Sequence, residues 1–569
     1  MWKNRLAIVL ALLTLVVAII LNNVEYRRPF VMFFLKRIIK ALLPKIADNR
    51  EIPWQKGPGE KQKSTEDLPN VILIVADDFG INDLSSYGAT RGAAGTDLQT
   101  PHIDSIGRDG VKFMNAYTTG ATCAPARAGL MSGRFPTRFG FQFTPMAQGI
   151  PEVLTKLSKF LWPRGEAYDS LLVKPVECEG EYPKCPENLP FNKQGLPTSE
   201  ITIAKQLKKK GYYTAQIGKW NLGQSEELQP TEHGFDDALT LAGGFYLPED
   251  HPDVVNGHRD IDPLESILRC TFQHATRFNA GESFTPKGYV TDYFTDEAVK
   301  VIENNKNRPF FLYMAHWAIH FPIQALRADY DSLSYIEDHN LRVYASMIKS
   351  IDRSTERILS SLEENGLTNN TIVIFTSDNG AAGNVGVRDS NKPYRGHKLS
   401  LFEGGTRVPF TVKWPDKIAP GTVYNPIVSH VDIFPTLSAA AGIELPSDRV
   451  MDGTDLIPHI LSNGRKKTIH DTLHWRSGDA YSIIHKGWKL QKYMDPDNIF
   501  LYHLEVDFTE ENNLVDERPD KVAELEREFA KHNATMPPPK WPMFLKYPVA
   551  IDYILDDDYS IQDVVFYPN

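Results

Sequence analysis

Four runs of apolar and β-branched residues mark the strands of a large sheet. Val71–Ala76, Tyr212–Ile217, Phe310–Ala315 and Thr371–Thr376 contain no charged position, which is typical of strands buried on both faces of a parallel sheet. Segments with helical periodicity, such as Ile201–Lys210, lie between them. This alternation predicts an α/β fold with a large, mainly parallel mixed sheet and helices on both of its faces.

The pattern changes from about residue 469. Tyr481–Tyr493 and Leu501–Leu504 alternate apolar and polar residues, which predicts a small antiparallel sheet. Asp520–His532 has helical periodicity, and Pro519 just precedes it, as is common where a helix begins. We therefore expect a main domain over residues 71–468 and a C-terminal antiparallel-sheet subdomain with a tail over residues 469–569.

The chain begins with an apolar segment, Leu6–Leu21, which contains no charge and follows Lys3 and Arg5. As a helix it would span roughly 24 Å at about 1.5 Å per residue, less than the roughly 30 Å of a bilayer core. This length suits a signal-peptide core or a short anchor. Because Asn22–Tyr26 offers no small-x-small cleavage pattern, an uncleaved membrane anchor is favoured.

A second N-terminal segment, Pro29–Ile46, alternates aromatic or aliphatic residues with lysine and arginine. It predicts a basic amphipathic helix, which either lies on an anionic membrane surface or docks on the globular domain. Residues 1–46 thus form an anchor or signal with an amphipathic segment. Residues 47–70 are polar, contain Pro and Gly, and are predicted to be a linker.

Composition narrows the function classes. The 569 residues, 42% of them hydrophobic, suffice for a large buried core. A formal net charge of -10 argues against a general nucleic-acid binder, so we expect no nucleic-acid partner. Four cysteines (Cys123, Cys178, Cys185 and Cys270) are too few for a disulfide scaffold. Cys178 and Cys185 flank a turn-rich loop and either close a small disulfide or stay as free thiols.

Acidic side chains follow two of the predicted strands directly. Asp77 and Asp78 come after Val71–Ala76, and Asp378 and Asn379 come after the strand that begins at Thr371. If the two strands are neighbours, four oxygen donors meet at the carboxyl edge of the sheet, where α/β folds bind ligands. Ca²⁺ and Mg²⁺ prefer such a set. Alternatively, these residues only cap helices or turns.

A lone cysteine, Cys123, stands at a predicted helix start. Pro125 is tolerated only in a first helical turn, so Cys123 lies at or near the N-cap. The free N–H groups there favour an anion, and Arg127 lies one turn further on the same face. The stretch therefore predicts a nucleophile beside a cradle for an oxyanion, although a single cysteine is often just a small buried hydrophobic residue.

Cys-x-Pro-x-Arg at Cys123–Arg127, followed by Ala-Gly-Leu-Met-Ser-Gly-Arg, resembles the signature of the sulfatases of the alkaline phosphatase superfamily. The resemblance covers roughly Asn70–Ala534. It implies that a formylglycine-generating enzyme oxidises Cys123 to formylglycine, whose hydrate attacks the sulfate ester. It also implies that Asp77, Asp78, Asp378 and Asn379 hold Ca²⁺, with Mg²⁺ as the alternative.

Three further blocks resemble the family. Lys219 lies in Gly-Lys-Trp-Asn-Leu-Gly, His320 precedes Phe-Pro, and Lys398 precedes the aromatic-Glu-Gly-Gly sequence. The resemblance implies that both lysines neutralise charge on the bound sulfate, that His320, with or without Lys398, protonates the leaving alcohol, and that Arg127 holds the hydrate. Without the motifs, each would be an ordinary surface lysine or core histidine.

One motif position departs from the family. Asn221 replaces the histidine to which the family assigns the base role in expelling sulfate. Asparagine cannot take up a proton near neutral pH, and losing a general base costs about 10²–10⁴ in rate. We expect an active enzyme limited by sulfate release, unless His316 or His397 takes over this role.

The resemblance implies hydrolysis of a sulfate ester to inorganic sulfate and an alcohol, on a sulfated carbohydrate or small molecule. The alternatives are a phosphodiester or phosphonate monoester hydrolase of the same superfamily, and a catalytically impaired, membrane-tethered binding protein. Residues 141–197 and 246–286 are predicted to border the active-site mouth. We expect an extracytoplasmic body (periplasmic, luminal or extracellular), although the excess of basic residues after Leu21 argues for the opposite topology.

Overall fold

The computed structural model describes residues 21–61, 68–88, 92–146, 150–161, 174–175, 189–258, 263–462, 469–494, 497–543, 545–554, 557 and 563–569. Nearly all of the apolar segment Leu6–Leu21 lies outside these residues, as do Cys178 and Cys185. The anchor and the disulfide therefore stay predictions.

Strands and helices alternate through most of the described chain. The strands are β1 (Asn70–Ala76), β2 (Val111–Phe113), β3 (Ala116–Tyr117), β4 (Lys174–Pro175), β5 (Tyr213–Gly218), β6 (Asp237–Leu241), β7 (Val254–Asn256), β8 (Thr276–Phe278), β9 (Ser283–Phe284), β10 (Phe310–Ala315), β11 (Gln324–Leu326), β12 (Thr371–Ser377), β13 (Phe410–Lys413), β14 (Thr422–Tyr424), β15 (Val428–Ser429), β16 (Thr472–Ser477), β17 (Ala480–His485), β18 (Trp488–Met494), β19 (Asp497–His503), β20 (Leu545–Ala550) and β21 (Val564–Pro568). The helices are α1 (Val24–Leu42), α2 (Pro101–Arg108), α3 (Cys123–Ser132), α4 (Ile150–Leu161), α5 (Ile203–Lys209), α6 (Pro263–Leu268), α7 (Val290–Asn305), α8 (Arg327–Ser332), α9 (His339–Glu364), α10 (Glu403–Thr406), α11 (Ile433–Ala440), α12 (Ile457–Leu461) and α13 (Pro519–Asn533).

A ten-stranded sheet forms the centre, in the order β14-β2-β13-β12-β1-β10-β5-β6-β8-β9. The five strands from β12 to β6 are mutually parallel, and antiparallel pairings follow on both flanks. The predicted α/β class is confirmed. β1 and β12 are direct neighbours, so the two acidic strand ends lie at the same edge of the sheet.

Alternate side chains of β1 enter two different cores, because successive residues of a strand point to opposite faces. Ile72 and Ile74 pack in a cluster with apolar residues of α7 and α9. Val71 and Leu73 pack in a second cluster with residues of α3 and α5. Helices therefore cover both faces of the sheet, which explains the uninterrupted apolar pattern of its central strands.

The C-terminal part folds into an antiparallel sheet, β16-β17-β18-β19, with α13 packed on it. This sheet packs against the main domain next to the predicted catalytic segments. Trp475 Nε1 donates to the carbonyl of Thr118 at 2.8 Å, and Tyr493 Oη accepts from the backbone N–H of Leu401 at 2.8 Å. These contacts hold the loops that lead to Cys123 and from Lys398.

The predicted amphipathic segment forms helix α1, which begins earlier and ends earlier than residues 29–46. Val31 and Met32 pack against α4 and Ile267, so one face docks on the globular body. Large apolar side chains remain exposed elsewhere on the helix: Tyr26, Phe33, Phe34, Ile38 and Leu42. Within the part of the chain described above, no helix is both long and apolar enough to span a bilayer.

Candidate active site

The candidate site begins where β1 and β12 end together. Their register pairs Ala76 with Ser377, so Asp77 and Asp78 leave one strand beside Asp378 and Asn379 of the other. All four of these polar side chains are buried. Parallel neighbours thus bring together oxygen donors that are about 300 residues apart in sequence.

Hydrogen bonds join the two strand ends. Asn379 Nδ2 donates to Asp78 Oδ1 at 2.8 Å, and the backbone N–H of Asp78 donates to Asp378 Oδ1 at 3.2 Å. Asp78 has a φ of 60°, in the left-handed region that non-glycine residues rarely adopt. Such backbone conformations persist where the surroundings fix them, commonly at functional sites.

Cys123 is the first residue of α3, with Thr122 as its N-cap. Its Sγ lies 3.4 Å from Asp77 Oδ1 and 3.7 Å from Asp78 Oδ1. Burial, followed by the charge of Asp378, raises the pKa of the thiol well above its usual range. As an unmodified thiol this side chain stays protonated, and a protonated thiol is a poor nucleophile.

Each of the three carboxylates is paired with a cation. Lys219 Nζ lies 2.6 Å from Asp77 Oδ2, and Lys398 Nζ lies 2.7 Å from Asp78 Oδ1. Arg127 Nε lies 2.8 Å from Asp378 Oδ2. Burial opposes the charged form of Lys219, but the charges of Asp77, Cys123 and Asp378 together outweigh it and raise the pKa of this lysine. When all three carboxylates are ionised, the three positive side chains balance them, and a divalent cation would leave the site net positive.

Arg127 is fully buried and orients the acidic cluster. Besides its bond to Asp378, its Nη1 donates to Tyr313 Oη at 3.2 Å and to the carbonyl of Lys219 at 3.3 Å. The sequence predicts that Arg127 holds the nucleophile, whereas its hydrogen bonds in the structure fix the carboxylate of Asp378 and the backbone at Lys219.

His320 lies at the same cluster, with its Nε2 3.7 Å from Asp78 Oδ2. Its Nδ1 is 2.7 Å from the carbonyl of Phe321, which fixes Nδ1 as the protonated nitrogen and leaves Nε2 as an acceptor. Burial and then the charges of Lys398 and Lys219 lower the pKa of His320 well below its usual value. The ring stacks on Trp317 at 4.1 Å.

Two other histidines, His316 and His397, are the candidates that could replace the base missing at Asn221. His316 Nε2 bonds Ser354 Oγ at 3.2 Å, and His397 Nε2 lies 3.0 Å from two backbone carbonyls of β20 and its following turn. Both rings are thus engaged outside the acidic cluster. Asn221 itself has a φ of 60° and lines a cavity together with Lys219 and Trp317.

The donor set fits a hard divalent cation. Asp77 and Asp78 offer carboxylate oxygens at a cluster, shared with Cys123 and His320, whose possible ligand atoms lie within 4.8 Å of one another. Of these donors, the oxygens are the ones that suit a hard cation. Asn379 Oδ1 is buried, and none of the described residues donates a hydrogen bond to it, which is costly unless a ligand takes the bond. Burial, with repulsion from Asp378, raises the pKa of Asp77 to about 7, and a cation at this cluster would offset both effects. Carboxylate and amide oxygens are the donors that Ca²⁺ and Mg²⁺ prefer.

Some contributors to the site lie outside the residues predicted from the sequence. Lys219 Nζ lies 4.9 Å from the ring of Trp317, a cation–π contact. Tyr246 Oη donates to the carbonyls of Trp317 at 2.8 Å and His320 at 3.0 Å. Trp317 could have been predicted as a site residue from its position in the sequence, between a buried strand and His320. Nothing in the local sequence singles out Tyr246.

Comparison with known proteins agrees with this geometry. The family described as Sulfatase matches residues 69–443, and the family described as N-sulphoglucosamine sulphohydrolase, C-terminal, matches residues 397–536. The chain belongs to the sulfatase family. This sulfatase is therefore placed among the sulfuric ester hydrolases.

Named relatives support the same class. N-acetylgalactosamine-6-sulfatase of Rattus norvegicus is 32% identical over 399 residues, which cover 69% of this chain and 66% of the rat protein. An arylsulfatase of Hemicentrotus pulcherrimus is 31% identical over 487 residues, which cover 80% of this chain and 77% of that protein. The match thus spans about two thirds of the length of the rat relative.

Solved structures show the same architecture. The crystal structure of Ps i-CgsB has a TM-score of 0.67 and 26% identity, with 83% of this chain and 94% of that chain covered. A second structure of Ps i-CgsB, in complex with k-i-k-neocarrahexaose, has a TM-score of 0.66 at 26% identity.

Proposed function

We propose that this sulfatase hydrolyses sulfate esters of carbohydrates to inorganic sulfate and an alcohol. The nucleophile would be residue 123 after conversion to formylglycine, and the metal would be Ca²⁺, with Mg²⁺ as the alternative. The observation that carries the proposal is the convergence of three paired carboxylates and Asn379 around Cys123. A sulfated small molecule is the alternative substrate.

Asp77, Asp78, Asp378 and Asn379 would hold the metal, which when bound acts as a Lewis acid on the sulfate. Formylglycine, when formed, supplies a hydrated aldehyde as nucleophile in place of a buried thiol. Arg127 keeps the carboxylate of Asp378 in place. Lys219 and Lys398 are fixed beside the nucleophile, where they bind sulfate oxygens and stabilise the charge that develops on them.

Proton transfer to the departing alcohol falls to two neighbouring groups. His320 Nε2 and Lys398 Nζ both lie within 4 Å of Asp78. The site therefore holds a proton donor, the ammonium of Lys398, beside a proton acceptor, Nε2 of His320. General acid–base assistance of this kind typically contributes about 10²–10⁴ in rate.

A phosphate ester could be bound by the same groups, so assays with aryl sulfate and aryl phosphate in parallel decide between the two ester classes.

Metal removal tests the proposed function directly. Treating the matured enzyme with a chelator should abolish aryl sulfate hydrolysis, and Ca²⁺ or Mg²⁺ should restore it. Asp78→Asn should lower both metal content and activity, because it removes one charged ligand. Asp109→Asn is the control, since Asp109 is a surface carboxylate paired with Arg108 and Lys413. Full activity in metal-free protein would contradict the proposal, and a folded, metal-loaded protein without turnover would favour a binding role.

We also propose that the N-terminus attaches the enzyme to a membrane, with its catalytic domain outside the cytoplasm. In support, Phe33 is 53% and Leu42 is 79% exposed on α1, next to basic residues such as Arg37. Apolar and basic residues on one helix favour an anionic membrane surface.

Deleting residues 1–45 is expected to move the enzyme from the membrane fraction to the soluble fraction with its activity retained. Asp77 is the first site residue along the chain, so the deletion leaves the acidic cluster complete. Fractionation followed by an aryl sulfate assay measures both effects, with the full chain after a high-salt wash as control. A mature protein that begins near Asn22 and is released by salt would overturn the anchor.

A further inference from the structure

A cavity of about 320 Å³ opens beside the catalytic lysine Lys219. Three chain segments within residues 219–229, 240–244 and 271–277, together with Trp317, line it. Its size lies at the small end of ligand pockets, which span roughly 300–1,000 Å³. Because Lys219 and Asn221 belong to both this cavity and the candidate site, a sugar that carries the reacting sulfate would extend into it.

Of the two cationic residues that line this cavity, Lys219 pairs with Asp77, whereas Arg277 has no carboxylate partner among the residues that the structure describes. It lies on β8, where it pairs with Thr240 of β6 and Ser283 of β9. Its Nη2 donates to Ser283 Oγ in a long hydrogen bond of 3.4 Å, and its Nε is enclosed with no hydrogen-bond partner in the described part of the chain. Among the described residues, none of those lining the cavity is an aspartate or glutamate.

An enclosed guanidinium N–H without a partner is unfavourable, and an unpaired charge in a cavity even more so. The guanidinium fork matches a carboxylate or a sulfate with two parallel hydrogen bonds. The lining of the cavity also suits a sugar ring. Phe272 and Trp317 offer aromatic surface, and Gln224 and Thr271 offer polar groups for hydroxyls.

We propose that Arg277 binds a second anionic group of the substrate, so that the enzyme selects carbohydrates bearing a carboxylate or another sulfate near the reacting one. The inference rests on the proposed sulfatase activity and names its substrate class as polyanionic carbohydrate. Arg277 is then a specificity-determining residue, and Lys219 serves the reacting sulfate.

The test compares kcat/KM for three substrates: a hexosamine with one sulfate, the same sugar with two sulfates, and the same singly sulfated sugar linked to a uronate. In Arg277→Gln, the preference for one of the two polyanionic substrates over the singly charged sugar should fall about 10–100-fold, the scale of a charged hydrogen bond. The polyanion that loses its advantage identifies the second group as sulfate or carboxylate. Arg277→Lys should recover part of the preference, because it keeps the charge and loses the fork.

Lys287→Gln is the matched control, since Lys287 is an exposed cation just after β9; the preference should stay unchanged in this variant. An equal loss on all three substrates, or no change in preference in either Arg277 variant, would overturn the inference. If the unaltered enzyme hydrolyses aryl sulfate but shows no preference for polyanions, the inference fails and the proposed function stands. If it hydrolyses no sulfate ester at all, the proposed function fails first.

Discussion

Replacing Cys123 with alanine should reduce sulfate ester hydrolysis by a factor on the order of 10⁶, the scale on which the loss of a nucleophile reduces enzymatic rates. The side chain is small and buried at the start of α3, so the variant should fold. Its Sγ lies 3.4 Å from Asp77 and 3.7 Å from Asp78, so the missing group is the one that faces the proposed metal ligands. Steady-state assays on purified, metal-loaded protein measure the effect.

Cys270→Ala is the matched control, because it makes the same chemical change at another buried cysteine. Cys270 follows helix α6, and its Sγ lies 3.7 Å from the carbonyl of Ser266 in that helix. Because this contact involves no residue of the candidate site, the loss of the thiol should leave turnover intact. Mass spectrometry of the peptide containing residue 123 should show an aldehyde in place of the thiol. Cys123→Ser should be inactive wherever the maturation enzyme does not convert serine. Full activity of protein that retains an unmodified thiol would contradict the mechanism.

The position of the acidic cluster follows from short-range sequence pattern. Continuous apolar runs predict buried parallel strands, and the carboxylates that end β1 and β12 must then meet if the strands are neighbours. The structure shows this pairing, with Ala76 opposite Ser377. The start of α3 could also be predicted from the sequence, because Pro125 restricts where a helix containing it can begin.

The pairing of charges could not be predicted, because it depends on contacts between distant segments. Lys398 pairs with Asp78, which lies 320 positions away in sequence. Arg277 has no carboxylate partner among the described residues, because the segments that line its cavity bring no aspartate or glutamate to it. Local chemistry also misled at α5. By residue type, Thr198 or Ser199 before Ile201–Lys210 is the predicted N-cap, but Thr202 takes this role, and its side chain accepts from the backbone N–H of Lys205.

The Glu-Gly-Gly sequence after Lys398 has a structural role that sequence alone does not disclose. Glu403 begins the short helix α10, and its carboxylate lies 2.8 Å from Lys489 Nζ on β18 of the C-terminal sheet. Lys489 also lies 3.0 Å from Glu510. All three side chains are 0% exposed, so this ion-paired cluster joins the C-terminal sheet to the segment that carries Lys398.

Lys489→Met should lower the free energy of unfolding by roughly 3–5 kcal/mol, the range for breaking one side of a buried ion pair. Methionine fills similar space, but Glu403 and Glu510 would face each other in a dry interior without their common cation. Urea unfolding followed by tryptophan fluorescence measures the change, since Trp475 and Trp488 lie in the same sheet. Because Glu403 follows Lys398 closely, kcat should fall as well.

Lys492→Met, on the same strand, separates this effect from a general response to losing a lysine. Lys492 pairs with Glu526 at 3.4 Å in a partly exposed position, where an ion pair contributes about 0–1 kcal/mol. Adding Glu510→Gln to Lys489→Met should recover part of the lost stability, because Arg407 still pairs with Glu403 at 3.2 Å, whereas Glu510 loses the lysine that it shared with Glu403. If the two lysine variants unfold at the same urea concentration, the buried cluster does not hold the C-terminal sheet to the segment that carries Lys398. If Lys489→Met lowers kcat without lowering stability, the cluster positions Lys398 without stabilising the fold.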